Sequence, residues 1–304
     1  MILCAGEILA DMIGSEKDGA YFYERKAGGA PFNVACGIKK FGGKVKFAGS
    51  VGDDLIGGFL AEFAESRGLD GLIVEKRSDA NTTLAFVQLD KNGERSFCFY
   101  RKNTADYKMP EISEEQLKDV DIVHVGSLMI SEDCGLCYAE NLIKKAHALN
   151  KLVSFDVNFR SDIFRDESVA AERYGRILEL ADILKFSEEE IEVFGEEYIR
   201  NVLKDKLICI SLGADGSEWR FGGKRGRIKS ISVKPVDTTG AGDAFFAGVL
   251  SGVDGVPKSG WTEEFLNGVF KRANICGALA TLGRGAIDCL PDEEKIKELL
   301  DKTN

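Results

Sequence analysis

The sequence predicts an α/β fold built on a mostly parallel β-sheet, because two kinds of segment alternate along the chain. Short apolar runs typical of buried strands alternate with amphipathic segments typical of helices through most of the 304 residues. Such alternation indicates parallel strands joined by crossover helices that cover both faces of the sheet. No stretch is polar or long enough to separate two independent units. Residues 1–304 are therefore expected to form a single domain.

The predicted elements follow the chain in order. Strand candidates are residues 2–8, 45–50, 122–125, 152–157, 183–186 and 207–211. The helix candidates between them are residues 31–41, 55–67, 135–149 and 169–180. Glycines then predict a hairpin with strands at 217–221 and 227–231. Helices are expected after it at 241–250, 263–282 and 292–300.

One part of the chain interrupts this alternation. Residues 82–89 and 95–101 alternate in polarity and are joined by Asp90-Lys91-Asn92-Gly93, which is a hairpin turn signal. Residues 14–24 are expected to add edge strands. Parts of 12–26 and 82–105 are therefore predicted to form a small β-sheet lid over a cleft.

Composition excludes several classes of protein. The chain has 40 basic and 50 acidic side chains, so it lacks the electrostatic footprint of a nucleic-acid or membrane-surface protein. No stretch approaches the roughly 18 apolar residues of a membrane span, and the N-terminus lacks the basic leader of a signal peptide. The eight cysteines are scattered through apolar segments, which predicts core-filling thiols in a cytoplasmic protein. Cys134 and Cys137 form a C-x-x-C pattern, so a redox protein stays an alternative.

The stretch 237–248 is the most informative for chemistry, since a polar glycine-rich turn runs directly into an apolar helix. Gly240 and Gly242 allow close backbone approach, and unpaired N–H groups at a helix N-terminus bind anions. Asp243 lies in the first turn, where it can accept a proton from an attacking hydroxyl while the amides hold a phosphoryl group. The alternative is that Asp243 only complements the helix dipole. Phe245 occupies the last glycine position of G-x-G-x-x-G, and G-x-x-x-x-G-K-[ST] does not occur, which argues against dinucleotide-binding and P-loop proteins.

Two long motifs resemble the signatures of the ribokinase-like (PfkB) carbohydrate kinase family. Residues 237–243 (D-T-T-G-A-G-D) resemble its C-terminal signature. Residues 28–35 (G-G-A-P-F-N-V-A), followed by Gly42-Gly43 and by 49–54 (G-S-V-G-D-D), resemble its N-terminal signature. The resemblance covers essentially the whole chain. It implies a ribokinase-like three-layer fold and a kinase that uses ATP and Mg²⁺ to phosphorylate a sugar hydroxyl.

The resemblance also implies roles for individual residues. Asp243 matches the catalytic base, the anion hole matches Gly240, Ala241 and Gly242, and Arg160 matches a residue near substrate and phosphate. The implied sugar contacts are Asp11, Gly28, Gly29, Asn33, Phe97 and Arg101, although the glycine pair could instead cap a helix. The implied nucleotide contacts are Ser187, Ser211, Gly213, Ala214, Gly216, Gly242 and Asn274.

Metal sites are implied in the same way. Glu190 matches a family residue that influences Mg²⁺ binding, but Ser187 replaces the usual Asn of that motif, and Glu190 could instead be an ordinary first-turn acid. A K⁺ ion is common in the family, and the matching cage is Asp237, Thr239, Ala280, Gly283 and Gly285. Carboxylate and carbonyl oxygens suit such a hard cation.

The sugar is suggested by residues 97–106, which resemble the F-Y-R-x-x-x-A-D lid strand of fructokinases. The sequence therefore predicts phosphorylation of D-fructose at O6. 2-Keto-3-deoxygluconate kinase is the first alternative, because Arg101 or Arg160 could pair an acidic sugar, and ribokinase is the next. A sugar- or nucleotide-binding regulator is the non-enzyme alternative. Since lids often pair in this family, the resemblance implies a homodimer through the lid, and a monomer is the equally consistent alternative.

Overall fold

The structure is a computed structural model that describes residues 1–89, 95–160, 162–164 and 166–303. Its strands are β1 (Ile2–Ala5), β2 (Leu9–Lys17), β3 (Ala20–Gly28), β4 (Val45–Gly52), β5 (Gly71–Arg77), β6 (Leu84–Leu89), β7 (Arg95–Tyr100), β8 (Ile122–Val125), β9 (Leu152–Asp156), β10 (Ile183–Ser187), β11 (Leu207–Ser211), β12 (Ser217–Phe221) and β13 (Lys224–Ile228). Its α-helices are α1 (Ala30–Lys40), α2 (Leu55–Glu65), α3 (Glu114–Leu117), α4 (Asp133–Ala148), α5 (Glu167–Leu180), α6 (Glu188–Phe194), α7 (Glu196–Val202), α8 (Ala241–Val253), α9 (Glu263–Ala280) and α10 (Glu293–Thr303).

The central sheet confirms the predicted fold class. Among the described residues it has the strand order β13-β12-β11-β10-β9-β8-β1-β4-β5. All strands from β11 to β5 in this order run parallel, while β12 and β13 add an antiparallel edge. The carboxyl ends of the parallel strands therefore meet at one edge, where open α/β sheets place their sites.

Each face of this sheet carries its own buried apolar core. One core contains Phe32 of α1, Phe246 of α8 and Phe270 of α9. The opposite core contains Phe155 of β9 and Tyr174 of α5. Burying both faces is why the parallel strands are almost continuously apolar, and the three layers follow from it.

The lid is a second sheet of four strands with the order β3-β2-β6-β7 within the described part of the chain. Strands β2 and β3 form an antiparallel hairpin, and so do β6 and β7. This arrangement confirms the small sheet that the polarity pattern predicted. The predicted turn at Asp90-Lys91-Asn92-Gly93 lies outside the described residues. That the whole chain forms one domain stays a prediction.

The late hairpin differs from the sequence prediction at its second strand. The prediction was 227–231, whereas β13 spans Lys224–Ile228. The cause is a two-residue turn in which both Gly222 and Gly223 have positive φ, at 57° and 77°. Two consecutive positive φ angles match the right-handed twist of the flanking strands, so the return strand begins at once. Residues 230–235 are thereby freed from the sheet.

The cysteine prediction is only partly correct. Cys4, Cys36, Cys209 and Cys276 are buried as expected, but Cys98, Cys134 and Cys137 are exposed and Cys289 is half-buried. All eight are free thiols. In the part of the chain that the structure describes, none of the helices combines the length and the apolar character needed to cross a membrane.

Candidate active site

Two adjoining cavities lie at the carboxyl edge of the central sheet. The lid cavity has a volume of about 260 Å³ and is lined by Glu7, Leu9, Asp11, Gly29, Ala30, Asn33, Phe99, Leu128, Asn158, Arg160, Lys185, Thr239, Gly240, Gly242 and Asp243. The outer cavity has a volume of about 400 Å³ and is lined by Ser211, Gly213, Ala214, Gly216, Ser230, Ile231, Ser232, Val233, Pro235, Thr238, Ala241, Gly242, Phe245, Asn274, Gly277, Ala278 and Thr281. Gly242 lines both cavities, so the two meet at the N-terminus of α8.

The N-termini of α1 and α8 converge at this meeting point. Helix α1 packs against α8, and Asn33 Nδ2 in the first turn of α1 donates to Asp243 Oδ2 in the first turn of α8 at 2.8 Å. Gly240 precedes α8 with φ 75°, and a Cβ there would stand 2.5 Å from Ala286 Cβ. Only glycine fits this position. Sequence motifs 210 residues apart thus form one site.

The anion hole differs in one detail from the expectation. The N–H of Ala241 donates to the carbonyl of Thr238 at 3.2 Å, so this amide is already engaged in the turn. No acceptor is recorded among the described residues for the N–H groups of Gly242 and Asp243. These two amides, at the positive end of a 13-residue helix, are the ones left for an anion.

Asp243 is partly buried beside these two amides. Burial raises the pKa of its carboxyl, against the hydrogen bond from Asn33 and the positive charges of Lys185 and Arg160, which lower it. A carboxylate with a raised pKa is a better proton acceptor than an ordinary aspartate. Its environment is therefore that of a base rather than of an exposed helix cap.

Glu7 is a buried acid at the lid cavity that no sequence motif indicated. It follows β1 and lines the lid cavity at 2% exposure, and its Oε2 has no hydrogen-bond partner in the described structure. Burial raises the pKa of Glu7 to about 8. Burial thus favours the protonated carboxyl near neutral pH, and this form can donate a hydrogen bond as well as accept one.

The predicted sugar contacts do not all reach the lid cavity. Asp11, Gly29, Asn33 and Arg160 line it. Gly28 does not, but a Cβ there would stand 2.2 Å from Asp11 Oδ2, so this glycine leaves room for the carboxylate. The side chain of Phe97 lies outside the described part of the structure, whereas Phe99 of the same strand lines the cavity.

Arg101 does not line either cavity and is instead buried in a structural network. Its Nε and Nη2 donate to Asp106 Oδ2 at 2.8 and 2.5 Å, and its Nη1 donates to Ser131 Oγ at 2.7 Å. The arginine and aspartate side chains are 8% and 0% exposed. The guanidinium therefore anchors the end of β7 to the protein beneath the lid.

The outer cavity brings together most of the predicted nucleotide contacts. Ser211 ends β11, and Gly213, Ala214 and Gly216 follow it in the chain. Asn274 of α9 also lines this cavity. Asn274 Nδ2 donates to the carbonyl of Ile228 at 2.9 Å. Ser187 lines neither cavity.

Ser187 and Glu190 form a helix cap. The Ser187 hydroxyl accepts from the N–H of Glu190, and Glu190 Oε2 accepts from the N–H of Ser187. Glu190 Oε1 accepts from the N–H of Phe159 at 2.6 Å. Because both carboxylate oxygens bind backbone amides, the structure favours the capping alternative for Glu190. No cluster of three or more His, Cys, Asp or Glu suited to a metal occurs in the described ranges.

Asp237 joins the two loops of the implied K⁺ cage. Its Oδ1 accepts from the N–H and hydroxyl of Thr239, and its Oδ2 accepts from the N–H of Gly285. The oxygen donors suit a hard cation, but these bonds also explain Asp237 as a loop anchor. The carbonyls of Ala280 and Gly283 complete the cage only as a prediction.

Comparison with known proteins agrees with this geometry. The model of the pfkB family carbohydrate kinases matches residues 1–293. The chain belongs to this family. It is 34% identical to the probable fructokinase-7 of Arabidopsis thaliana, with 100% of this chain and 93% of that protein covered. It is 35% identical to fructokinase-1 of Zea mays, with 99% and 98% covered.

Solved structures of fructokinases agree in fold. Fructokinase from Xylella fastidiosa with bound ATP superposes with a TM-score of 0.88 at 29% identity, covering 99% of this chain and 98% of that one. Fructokinase from Vibrio cholerae O395 with fructose, ADP and calcium bound superposes with a TM-score of 0.85 at 28% identity, covering 98% of both chains. The protein is therefore a carbohydrate kinase, a phosphotransferase with a hydroxyl acceptor.

Several residues that line the two cavities of this pfkB-family kinase were not predicted from the sequence. Lys185 lies in the middle of an apolar strand candidate. Residues 230 and 231 were expected at the end of a strand, and residues 232–235 were not placed in any predicted element. Thr238 lies inside the C-terminal signature but had no role assigned to it. A charged residue within an otherwise buried strand, as at Lys185, is the one signal that could have identified a member of this group.

Proposed function

We propose that this kinase transfers the γ-phosphoryl group of ATP to O6 of D-fructose. The observation that carries the proposal is the meeting of the two cavities at Gly242, with the partly buried Asp243 on the lid-cavity side. A sugar in the lid cavity and a nucleotide in the outer cavity would meet at the amides of α8. The fructokinases among the relatives supply the choice of sugar.

In the proposed reaction, Asp243 removes the proton of the attacking hydroxyl. Asn33 holds Asp243 Oδ2, which leaves Oδ1 for that proton. The hydroxyl oxygen bonds to the γ-phosphorus as the bond to the bridging oxygen of ADP breaks. The N–H groups of Gly242 and Asp243, with Arg160, stabilise the charge on the phosphoryl oxygens. Glu7 and Asp11 would orient the sugar.

The proposed reaction involves two metal ions, Mg²⁺ and K⁺. Mg²⁺ would be carried by the nucleotide phosphates, as is usual where the protein supplies few direct ligands. K⁺ would bind at Asp237 and the carbonyls around it and would support the loops beside the anion hole. Both ions, and a cytoplasmic location, stay predictions.

A coupled assay of ADP release tests the choice of sugar. With Mg·ATP, we expect kcat/KM for fructose to exceed that for 2-keto-3-deoxygluconate, ribose, glucose and adenosine by at least about tenfold, which corresponds to about 1.4 kcal/mol of transition-state binding. Running each sugar with and without K⁺ tests the cation. A preference for 2-keto-3-deoxygluconate would replace fructose and assign the sugar carboxylate to Arg160, because Arg101 is engaged by Asp106.

We also propose that two copies pair through their lids. The rings of Tyr23, Phe86 and Tyr100 contact one another across the lid, with centroids 5.1 Å apart in each contact. Tyr21 beside them is 50% exposed and Tyr100 is 61% exposed. An exposed aromatic patch of this kind marks an interaction surface. Light scattering should then give a mass twice the 33.2 kDa of one chain.

A further inference from the structure

Lys185 is a buried cation beside the anion hole. It lies in the middle of β10, where Leu184 and Phe186 face the core on the α5 side. Because side chains alternate along a strand, Lys185 faces the opposite side, toward α8. Its side chain is 8% exposed and lines the lid cavity. A Cβ on Gly242 would stand 3.4 Å from Lys185 Nζ.

Asp156 holds this ammonium in place from the neighbouring strand. The two residues are in register in the β9–β10 pair. Lys185 Nζ donates to Asp156 Oδ1 at 2.8 Å and to Oδ2 at 2.9 Å. An ammonium has three donors, and the described structure records no bond for the third. One N–H of Lys185 is therefore left, at the point where the two cavities meet.

We propose that Lys185 is a further catalytic residue whose third N–H donates to an oxygen of the γ-phosphoryl group, in bound ATP and throughout transfer. Asp156 is the positioning residue that holds Lys185 there. The inference rests on the proposed function, because it places the γ-phosphoryl group at the N-terminus of α8.

The charges around the hole are consistent with this role. Three carboxylates lie close to Lys185, those of Asp156, Glu190 and Asp243. Burial alone lowers the pKa of Lys185, but these carboxylates more than reverse the effect and raise it. The side chain thus stays cationic and offsets negative charge that would otherwise repel a triphosphate.

Lys185 keeps its proton throughout the transfer. The proton of the sugar hydroxyl passes to Asp243, and ADP leaves with the electron pair of the broken phosphorus–oxygen bond. Lys185 contributes only charge and one hydrogen bond to the phosphoryl oxygens. Fixed charge of this kind acts where charge develops and needs no reorganisation during the reaction.

The test must separate this role from that of a structural ion pair. Lys185→Met alone leaves Asp156 buried without its cation, which destabilises the fold. The double variant Lys185→Met/Asp156→Asn removes both charges together, and replacement of a whole buried pair is often neutral for stability. Lys206→Met is the matched control, because Lys206 Nζ binds the carbonyls of Glu179 and Ala181 away from both cavities.

Two readouts are measured on the double variant. We expect the affinity for the ATP analogue AMP-PNP, measured by calorimetry with Mg²⁺, to fall about tenfold or more while ADP affinity stays within about threefold. We expect kcat for the best sugar to fall by about a hundredfold or more. The Lys206→Met control should keep both kcat and the ratio of the two affinities.

Wild-type AMP-PNP affinity in the folded double variant would overturn the proposal, and so would wild-type kcat. The binding measurement needs no sugar, so it tests Lys185 even where the choice of fructose fails. If wild-type protein phosphorylates none of the sugars, the proposed function fails, and the ratio of AMP-PNP to ADP affinity still decides the role of Lys185.

Discussion

Replacing Asp243 with asparagine is expected to lower kcat by at least about a hundredfold, because a general base contributes roughly that much to proton transfer. Asparagine keeps the shape of the side chain and can still accept the bond from Asn33 Nδ2. Because burial raises the pKa of Asp243, its ionised form destabilises the folded protein at neutral pH. The variant should therefore unfold at the same temperature as wild type or at a higher one. Coupled ADP release and calorimetry measure the two effects.

The matched control is Asp54→Asn, at a carboxylate that lines neither cavity and binds the backbone N–H and the hydroxyl of Thr82 besides capping a helix. Asp54 Oδ1 accepts from the N–H of Gly57 at 2.8 Å at the start of α2. Asparagine caps a helix as well as aspartate does, but it has one acceptor oxygen where Asp54 uses two, for Gly57 and Thr82. The replacement should therefore cost about 1–3 kcal/mol of stability and leave kcat unchanged. If Asp243→Asn instead lost stability and kept its turnover, Asp243 would be a dipole-complementing residue and the mechanism would be wrong.

The pH dependence of the wild-type enzyme follows from the same carboxylate. The base must be ionised to accept a proton, so kcat/KM should fall as pH decreases through its pKa. Because burial raises that pKa, the fall should occur above the usual range of aspartate, which is near 4. A kcat/KM for fructose that stays constant down to about pH 4 would contradict the assignment.

Replacing Arg101 with methionine is expected to destabilise the protein by about 3–5 kcal/mol, because it leaves Asp106 buried without its cation. Asp106 would retain its bonds from the hydroxyls of Thr83 and Thr104, but these supply no positive charge. For a chain of this size the loss corresponds to a decrease in Tm of about 6–10 °C. Thermal unfolding followed by calorimetry measures it.

Arg77→Met is the control for this prediction. Arg77 also binds two carboxylates, Glu75 and Asp79, but these are 44% and 56% exposed. Exposed pairs contribute about 0–1 kcal/mol, so Tm should change by about 2 °C or less. An Arg101→Met variant with wild-type Tm and a raised KM for the sugar would instead support the substrate contact that the sequence predicted.

The sequence predicted the fold well because its signals are local. A buried parallel strand is a mostly apolar run, as at Ile122–Val125 and Leu207–Ser211, and the structure has both strands with the predicted bounds. The second strand of the late hairpin was predicted three residues too late, because its start depends on the geometry of the turn before it. Whether Gly222 and Gly223 turn the chain in two residues or more depends on backbone angles, and composition alone does not specify them.

The sequence by itself determined the family and the chemical core of the site, because Asp243 and the glycines before it lie together in one motif. Only the tertiary structure decided which other residues join them. Glu7 follows β1 and Lys185 lies on β10, and both line the lid cavity because these parallel strands run toward the same edge of the sheet. Arg101 lines neither cavity and is bound by Asp106 instead. Whether a charged side chain faces a cavity or a buried partner depends on contacts between distant segments, and sequence spacing does not encode these contacts.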